Sequence, residues 1–141
     1  MIKKEAFVLD ACALIAFLRD EAGGDIIRDI FKQSSNGEID LAINKINLLE
    51  VYYGFYRTRG KKYANGFLVD LGNYEITLRE FTDEILLEAG RLKATYKISL
   101  ADSIALAQAI TLDASLLTSD RHEFEIIENG GGEKIKFIWI R

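Results

Sequence analysis

The segment Ala6-Phe7-Val8-Leu9-Asp10 constrains the fold more than any other stretch of this chain. Four apolar residues in succession, ended by an acid, are too few for a helix and lack the alternation of a half-exposed strand. Such a run reads as a strand buried on both faces, as in a parallel sheet covered by helices. Ala11 to Leu18 follows with apolar helix formers and almost no polar face. Asp10 therefore falls where a central strand stops and a buried helix starts. Sites in open α/β sheets form at the carboxyl ends of strands. A carboxylate there either caps the helix or does chemistry, and the other acids of the chain bear on the choice.

The length of 141 residues fits a single domain spanning 1–141, long enough to bury a core without disulfides. A hydrophobic content of 49% argues against disorder. No apolar run is long enough to span a membrane, and Glu5 and Asp10 interrupt any leader-like segment. Cys12 is the single cysteine, which excludes a disulfide framework and a Cys-based zinc site. A soluble, cytoplasmic protein is expected. The net charge of −4 is not the footprint of a protein that grips nucleic acid by a basic surface. A nucleic-acid substrate would require bound cations to offset part of the repulsion.

Beyond the first strand and the helix Ala11–Arg19, a second helix is expected over Asp25–Lys32, then a turn at Ser34–Gly37 and a short strand at Asp40–Ile43. Asn44 or Asn47 can start a helix that runs to about Arg59 and ends at Gly60. Lys61–Leu71 is a further helix, Tyr74–Leu78 a strand and Asp83–Lys97 a helix. Ser99 opens a helix through Leu112, Ala114–Thr118 is a strand, Ser119–Phe124 a turn or short helix, and Ile135–Ile140 the last strand. Strands alternating with helices predict a three-layer α/β/α sandwich around a mainly parallel sheet. The helices around Ile26–Phe31 and Tyr52–Phe67 carry more apolar surface than a small monomer should expose, so a second copy or a partner segment is expected to cover part of it.

Four carboxylates recur at informative places. Asp10 ends the first strand and is also a good N-cap. Glu50 lies on a strongly apolar helix, in the stripe Asn47, Glu50, Gly54 and Arg57, which faces either bulk water or a cleft. Asp102 completes a capping-box pattern with Ser99, at the start of a helix that is apolar nearly all round. Asp120 ends Leu116-Leu117-Thr118-Ser119, a second buried strand closed by an acid. Each has a structural reading as a cap, turn or surface residue. Together, two acids fall at strand ends and two on helices that the fold would bring to the same edge. Converging carboxylates repel unless hard cations neutralise them, and oxygen ligands suit Mg²⁺ or Mn²⁺. Such ions can clamp a phosphodiester and activate water.

The segments Val8–Ile15, Asn47-Leu48-Leu49-Glu50-Val51, Ser99–Ala107 and Leu117-Thr118-Ser119-Asp120, in this order and spacing, resemble those of the PIN-domain nucleases, most of all the VapC toxins of prokaryotic toxin–antitoxin pairs. The closing Phe137-Ile138-Trp139-Ile140 resembles that family's last strand. The resemblance implies that Asp10, Glu50, Asp102 and Asp120 form an acidic quartet for Mg²⁺ or Mn²⁺. It implies cleavage of RNA, frequent homodimerisation, and inhibition by a cognate antitoxin. Cys12 departs from the Ser or Thr that relatives usually carry.

Other residues carry weaker signals. Asn47 shares the Glu50 stripe, and Thr118 and Ser119 can bond a metal-bound water, a phosphate or the turn itself. His122, the single histidine, reads as an exposed turn residue. Tyr52, Tyr53, Phe55 and Tyr56 read as core or interface before base-stacking. Arg57, Arg59, Lys61 and Lys62 form the densest basic cluster, the best candidate to meet RNA phosphates, although cations also suit a helix C-terminus. The reading is a metal-dependent endoribonuclease of the toxin kind. The rivals are a housekeeping PIN nuclease of RNA processing, a phosphatase with Asp10 as nucleophile, and a non-catalytic binding module.

Overall fold

A computed structural model describes residues 3–141. Its sheet has five strands, all parallel: β1 (Glu5–Leu9), β2 (Ile39–Asn44), β3 (Thr77–Arg79), β4 (Ser115–Thr118) and β5 (Lys136–Trp139), in the spatial order β3-β2-β1-β4-β5. The chain first moves outward from β1 through β2 to β3, then returns to the other side of β1 with β4 and β5. The reversal places a crevice beside the carboxyl ends of β1 and β4, where ligands bind in open α/β sheets.

Successive side chains of the strands point to opposite faces. Phe7, Leu9, Leu41, Ile43 and Leu117 pack with α1 (Ala11–Leu18), α2 (Gly24–Ser35), α3 (Lys45–Arg59) and α4 (Lys61–Leu71). Val8, Ala42, Leu116 and Phe137 pack on the other face with α5 (Asp83–Thr95), α6 (Leu100–Thr111) and α7 (Arg121–Gly130). The result is the three-layer sandwich that the alternation of elements implied. Val8, Leu9, Leu116 and Leu117 are wholly buried, as expected of strands with helices on both sides.

Several boundaries differ from expectation. Ser34 and Ser35 continue α2 rather than turning, and Ser34 Oγ donates to the Glu75 carbonyl at 2.5 Å. The expected strand at Tyr74–Leu78 shifts to Thr77–Arg79, because Tyr74 packs edge-on against Phe17 and beside Phe31 instead of entering the sheet. Arg121–Gly130 is a full helix, not a short turn, with Phe124 and Ile127 buried one turn apart. Gly60, with φ 89°, ends α3 and also opens α4, a conformation that L side chains avoid. The apolar stripe of α2 is mostly covered within the chain: Ile27, Ile30 and Phe31 are buried, while Ile26 stays exposed. Exposed apolar side chains remain on α3 and α4, at Leu49, Tyr53, Tyr56, Tyr63, Leu68 and Val69. A second set around Phe81, Leu86, Leu87 and Leu100 had no counterpart in the sequence reading. No helix among the described residues is long and apolar enough to cross a membrane.

A buried polar tie joins the carboxyl end of β2 to α6. Asn44, last residue of β2, accepts the Ile46 N–H at 2.9 Å and so caps α3. Its amide donates to Gln108 Oε1 on α6 at 2.9 Å. Replacing Asn44 by Ala removes the cap and leaves a buried acceptor unpaired, which should cost about 2–3 kcal/mol in urea unfolding. Asn44→Asp, which keeps the cap but loses the donor, should also destabilise; equal stability of either variant with the parent would show that the tie is dispensable.

Candidate functional site

Each acid at the crevice is placed by local structure before any chemistry is invoked. Asp10 is the N-cap of α1, and its Oδ1 accepts the Ala13 N–H at 2.8 Å. Its Oδ2 is buried and has no hydrogen-bond partner. Asp102 lies in the first turn of α6, where Ser99 Oγ accepts its N–H at 3.1 Å. Asp120 is the N-cap of α7 and accepts the Glu123 N–H at 3.3 Å. Glu50 projects from α3 and is half-buried. The capping readings of Asp10 and Asp120 hold and do not compete with a site, whereas the Asp102 side chain does not close the expected box, because Glu123 takes the Ser99 N–H. A cap engages one oxygen or one amide and fixes the carboxylate while leaving acceptor capacity free.

Electrostatics shows how closely the acids approach. Burial pushes the Asp10 carboxyl up to about 7, with smaller upward pushes from Asp120 and Glu50. The Thr118 hydroxyl, which accepts the Asp120 N–H at 3.0 Å and keeps its own O–H to donate, favours the charged form of Asp10. Asp102 is raised well above the ordinary range by burial, then by sharing a proton with Asp120, then by the charges of Asp10, Asp120 and Glu123. Glu50 is raised by burial and by Asp120. Cys12, half-buried on α1, is pushed up to about 12 by burial and by the charges of Asp10, Asp102, Asp120 and Glu50. Among the described residues, no ion pair engages any of these acids.

The tightest group is not the expected quartet. Oxygens of Asp102, Asp120 and Glu123 lie within 4.8 Å of one another, and the charge of Asp120 reaches Asp10 and Glu50. Sequence reasoning missed Glu123. Its signal was present: Asp120-Arg121-His122-Glu123 has the same capping-box spacing as Ser99 and Asp102. Glu123 Oε1 also accepts the Ser99 N–H at 3.2 Å and ties α7 to the start of α6. An all-oxygen, acidic donor set with a buried orphan oxygen and no basic partner fits a hard divalent cation.

The supporting residues divide. Asn47 is buried, and its Nδ2 donates to the Ala101 carbonyl at 2.9 Å, which locks α3 against the turn that carries Asp102. Thr118 is buried as described, while Ser119 is half-exposed. His122 is exposed. Arg57, Arg59, Lys61 and Lys62 are exposed at the α3–α4 junction, seven or more residues beyond Glu50, or roughly 10 Å along the α3 axis at its near end. They are not part of the carboxylate cluster.

Fold and site together define an α/β protein with a carboxylate pocket at the switch point of a parallel sheet. The chain matches the PIN domain model over residues 7–129 and belongs to that family of nucleases. Among solved structures it is similar to VapBC2 from Rickettsia felis, bound to a DNA fragment from their promoter. The TM-score is 0.72 and the identity 20%, over 94% of this chain and 97% of that one. It is similar to DNA-bound VapBC from Salmonella typhimurium (TM-score 0.70, 18% identity, 94% and 98% covered). FitAcB from Neisseria gonorrhoeae gives a TM-score of 0.68 at 14% identity, over 95% and 97%. At such identities the likeness speaks for the fold. No curated protein sequence matches the chain.

The raised carboxyls make metal-free stability depend on pH. The folded chain holds protons on Asp10 and Asp102 that the unfolded chain releases near pH 4, so stability is full below that pH and falls as pH rises through about 7. Each pH unit in that window costs up to about 1.4 kcal/mol per proton held. Urea midpoints in chelator should therefore be lower at pH 8 than at pH 5.5, and Mn²⁺ should close the gap because it replaces the protons. A flat profile in chelator would show that the acids are not crowded in solution.

Proposed function

We propose that the chain is a metal-dependent endoribonuclease and the toxin of a toxin–antitoxin pair. One observation carries the reading above all: Asp10 keeps a buried, unpartnered oxygen and feels the charges of Asp120 and Glu50, with no basic counter-charge among the described residues. That arrangement is costly for a binding module and useful for a cation. Asp10, Glu50, Asp102 and Asp120 would hold Mg²⁺ or Mn²⁺, with Glu123 as a fifth carboxylate. When bound, such ions supply a hydroxide nucleophile and neutralise charge on a phosphodiester. Asp10 would present Oδ2 to the ion while Oδ1 keeps the α1 cap. Asp102 would lose its shared proton as the site loads. Asn47 would keep α3 and α6, and so Glu50 and Asp102, at a fixed separation. No side chain is needed as a covalent nucleophile.

The partner reading rests on the neighbours being VapBC and FitAcB assemblies, and on a groove in this chain. The groove, of about 620 Å³, lies between α1, α3 and α4 and is lined by Leu18, Phe55, Tyr63 and Phe67 with Arg59 and Lys62 at its rim. An antitoxin segment with an apolar anchor and acidic flanks would fill it. The exposed Leu86, Leu87 and Leu100 on α5 and α6 suit a homodimer contact. A cytoplasmic site of action follows from this reading.

Asp10→Asn keeps the cap but replaces a hard anionic ligand. Mn²⁺-dependent cleavage of RNA should fall by at least about 100-fold, since disturbing even an outer partner of a metal ligand costs about 10–100-fold. Metal-free stability at pH 8 should be equal or higher, because a buried charge is gone. Cleavage at the parental rate would remove Asp10 from the site. The parent in Mn²⁺ at 100 times its dissociation constant should gain about 2.7 kcal/mol in stability, and no gain would favour the binding module.

A further inference from the structure

Among the described residues, two buried side-chain oxygens have no hydrogen-bond partner: Asp10 Oδ2 and Asn47 Oδ1. A cation at the carboxylates accounts for the first. The second belongs to a neutral amide that is only 1% exposed. A buried acceptor left unpaired bears its full desolvation, which native structures rarely tolerate. Asn44, three residues earlier and also buried, uses both arms of its amide: Oδ1 caps α3 and Nδ2 donates to Gln108. The free arm appears only where α3 reaches the acids.

The position of Asn47 follows from two helix starts. It is the third residue of α3, and Glu50 follows it by one helical turn on the same face. Its Nδ2 donates to the Ala101 carbonyl at 2.9 Å, and Ala101 directly precedes Asp102 in the first turn of α6. One amide thus touches the turn that carries one acid and stands a turn before the other. The amide cannot be turned over, because a carbonyl only accepts and the group facing Ala101 must be the NH₂. Oδ1 is therefore fixed on the other arm. It can only accept, as can the ionised carboxylates of Glu50 and Asp102, and no donor of the chain reaches it. Acceptors gathered without a donor are joined by water, which has two hydrogens to give.

We infer that Asn47 is a positioning residue: its free Oδ1 takes a hydrogen bond from a water that stands between the amide and the carboxylates, and so aims that water's oxygen at the ion the carboxylates hold. Ions such as Mg²⁺ bind through a few carboxylates and keep several of their waters, so a neutral amide beside them meets a water before it meets the ion. The Nδ2 bond to Ala101 sets the direction of Oδ1. One hydrogen of the water is committed to Oδ1, and the other is left for a carboxylate. A water held in this way has little orientational freedom left to lose when it reacts. Asn47 carries no charge, so its loss should touch the reacting water more than the affinity for the ion. The inference rests on the metal-dependent nuclease reading and names the group that orients its water.

A high-resolution crystal structure of the full chain loaded with Mn²⁺ should show a water within about 3 Å of Asn47 Oδ1. Direct ligation of the ion by Oδ1, or a protein donor in place of the water, would overturn the inference. Asn47→Leu is close in size and removes both arms of the amide. With bis(4-nitrophenyl) phosphate as substrate, its kcat should fall by about 10–100-fold at unchanged KM, the usual loss when an outer partner is removed. Its Mn²⁺ affinity by calorimetry and its melting temperature in chelator should stay near those of the parent. Parental kcat in Asn47→Leu would sink the proposal. A fall in kcat that tracks lost Mn²⁺ affinity or lost metal-free stability would mark Asn47 as a ligand or a brace, and equally overturn it. Should Asn47→Leu not fold, the crystal structure of the parent decides alone. Failure of the parent to hydrolyse the diester in Mn²⁺ would instead remove the nuclease reading, while the water on Oδ1 is judged separately in the crystal.

Discussion

The structure depends on a conflict at the carboxyl ends of β1 and β4. Asp10 and Asp102 are buried where water cannot screen them, and the charges of Glu50, Asp120 and Glu123 press on them without a cation in reply. Unpaired buried charges are normally excluded from cores because desolvation is so costly. Two of the acids are also helix caps: Asp10 and Asp120 satisfy backbone donors with one oxygen, and the Ser99 cap holds the turn that carries Asp102. From Asp10 and Asp120 the fold gains a helix terminus while acceptor capacity is retained.

Around that conflict the scaffold is rigid in a specific way. Three polar ties join elements that are distant in sequence: Asn44 to Gln108, Asn47 to the Ala101 carbonyl, and Glu123 to the Ser99 amide. The first two clamp α3 to α6, and the third clamps α7 to α6. All three hold the helix that carries Asp102. Because these bonds are directional, and the Asn44–Gln108 bond is buried, they set distances that apolar packing alone would leave loose. A site built from repelling groups needs such bracing.

One apolar groove lies between α1, α3 and α4, with Arg59 and Lys62 in its lining, and a second lies between α5 and α6. Leu49 and Tyr53 are exposed on α3 next to Glu50 in the helix, so apolar surface also borders the acids on that side.

Much of this was legible in the sequence. The unbroken apolar run ending at Asp10 announced a doubly covered strand, because only a central parallel strand can bury consecutive residues on both faces. Leu116–Asp120 repeated the pattern. The capping spacings of Ser99 and Asp102 located a helix start, since N-cap chemistry is local. Tertiary structure decided what local rules cannot reach. Tyr74 left its strand because Phe17 and Phe31, far away in the chain, offered it an aromatic cluster. Of the α2 stripe, which resembled a partner surface, Ile27, Ile30 and Phe31 are buried by the chain itself and only Ile26 is exposed. Glu123 entered the tightest group of acids only because α7 continues for ten residues and packs its first turn against Ser99. Periodicity and capping act within a few residues and so can be read directly, whereas which acids meet, and how strongly they repel, depends on distances that exist only once the helices are packed.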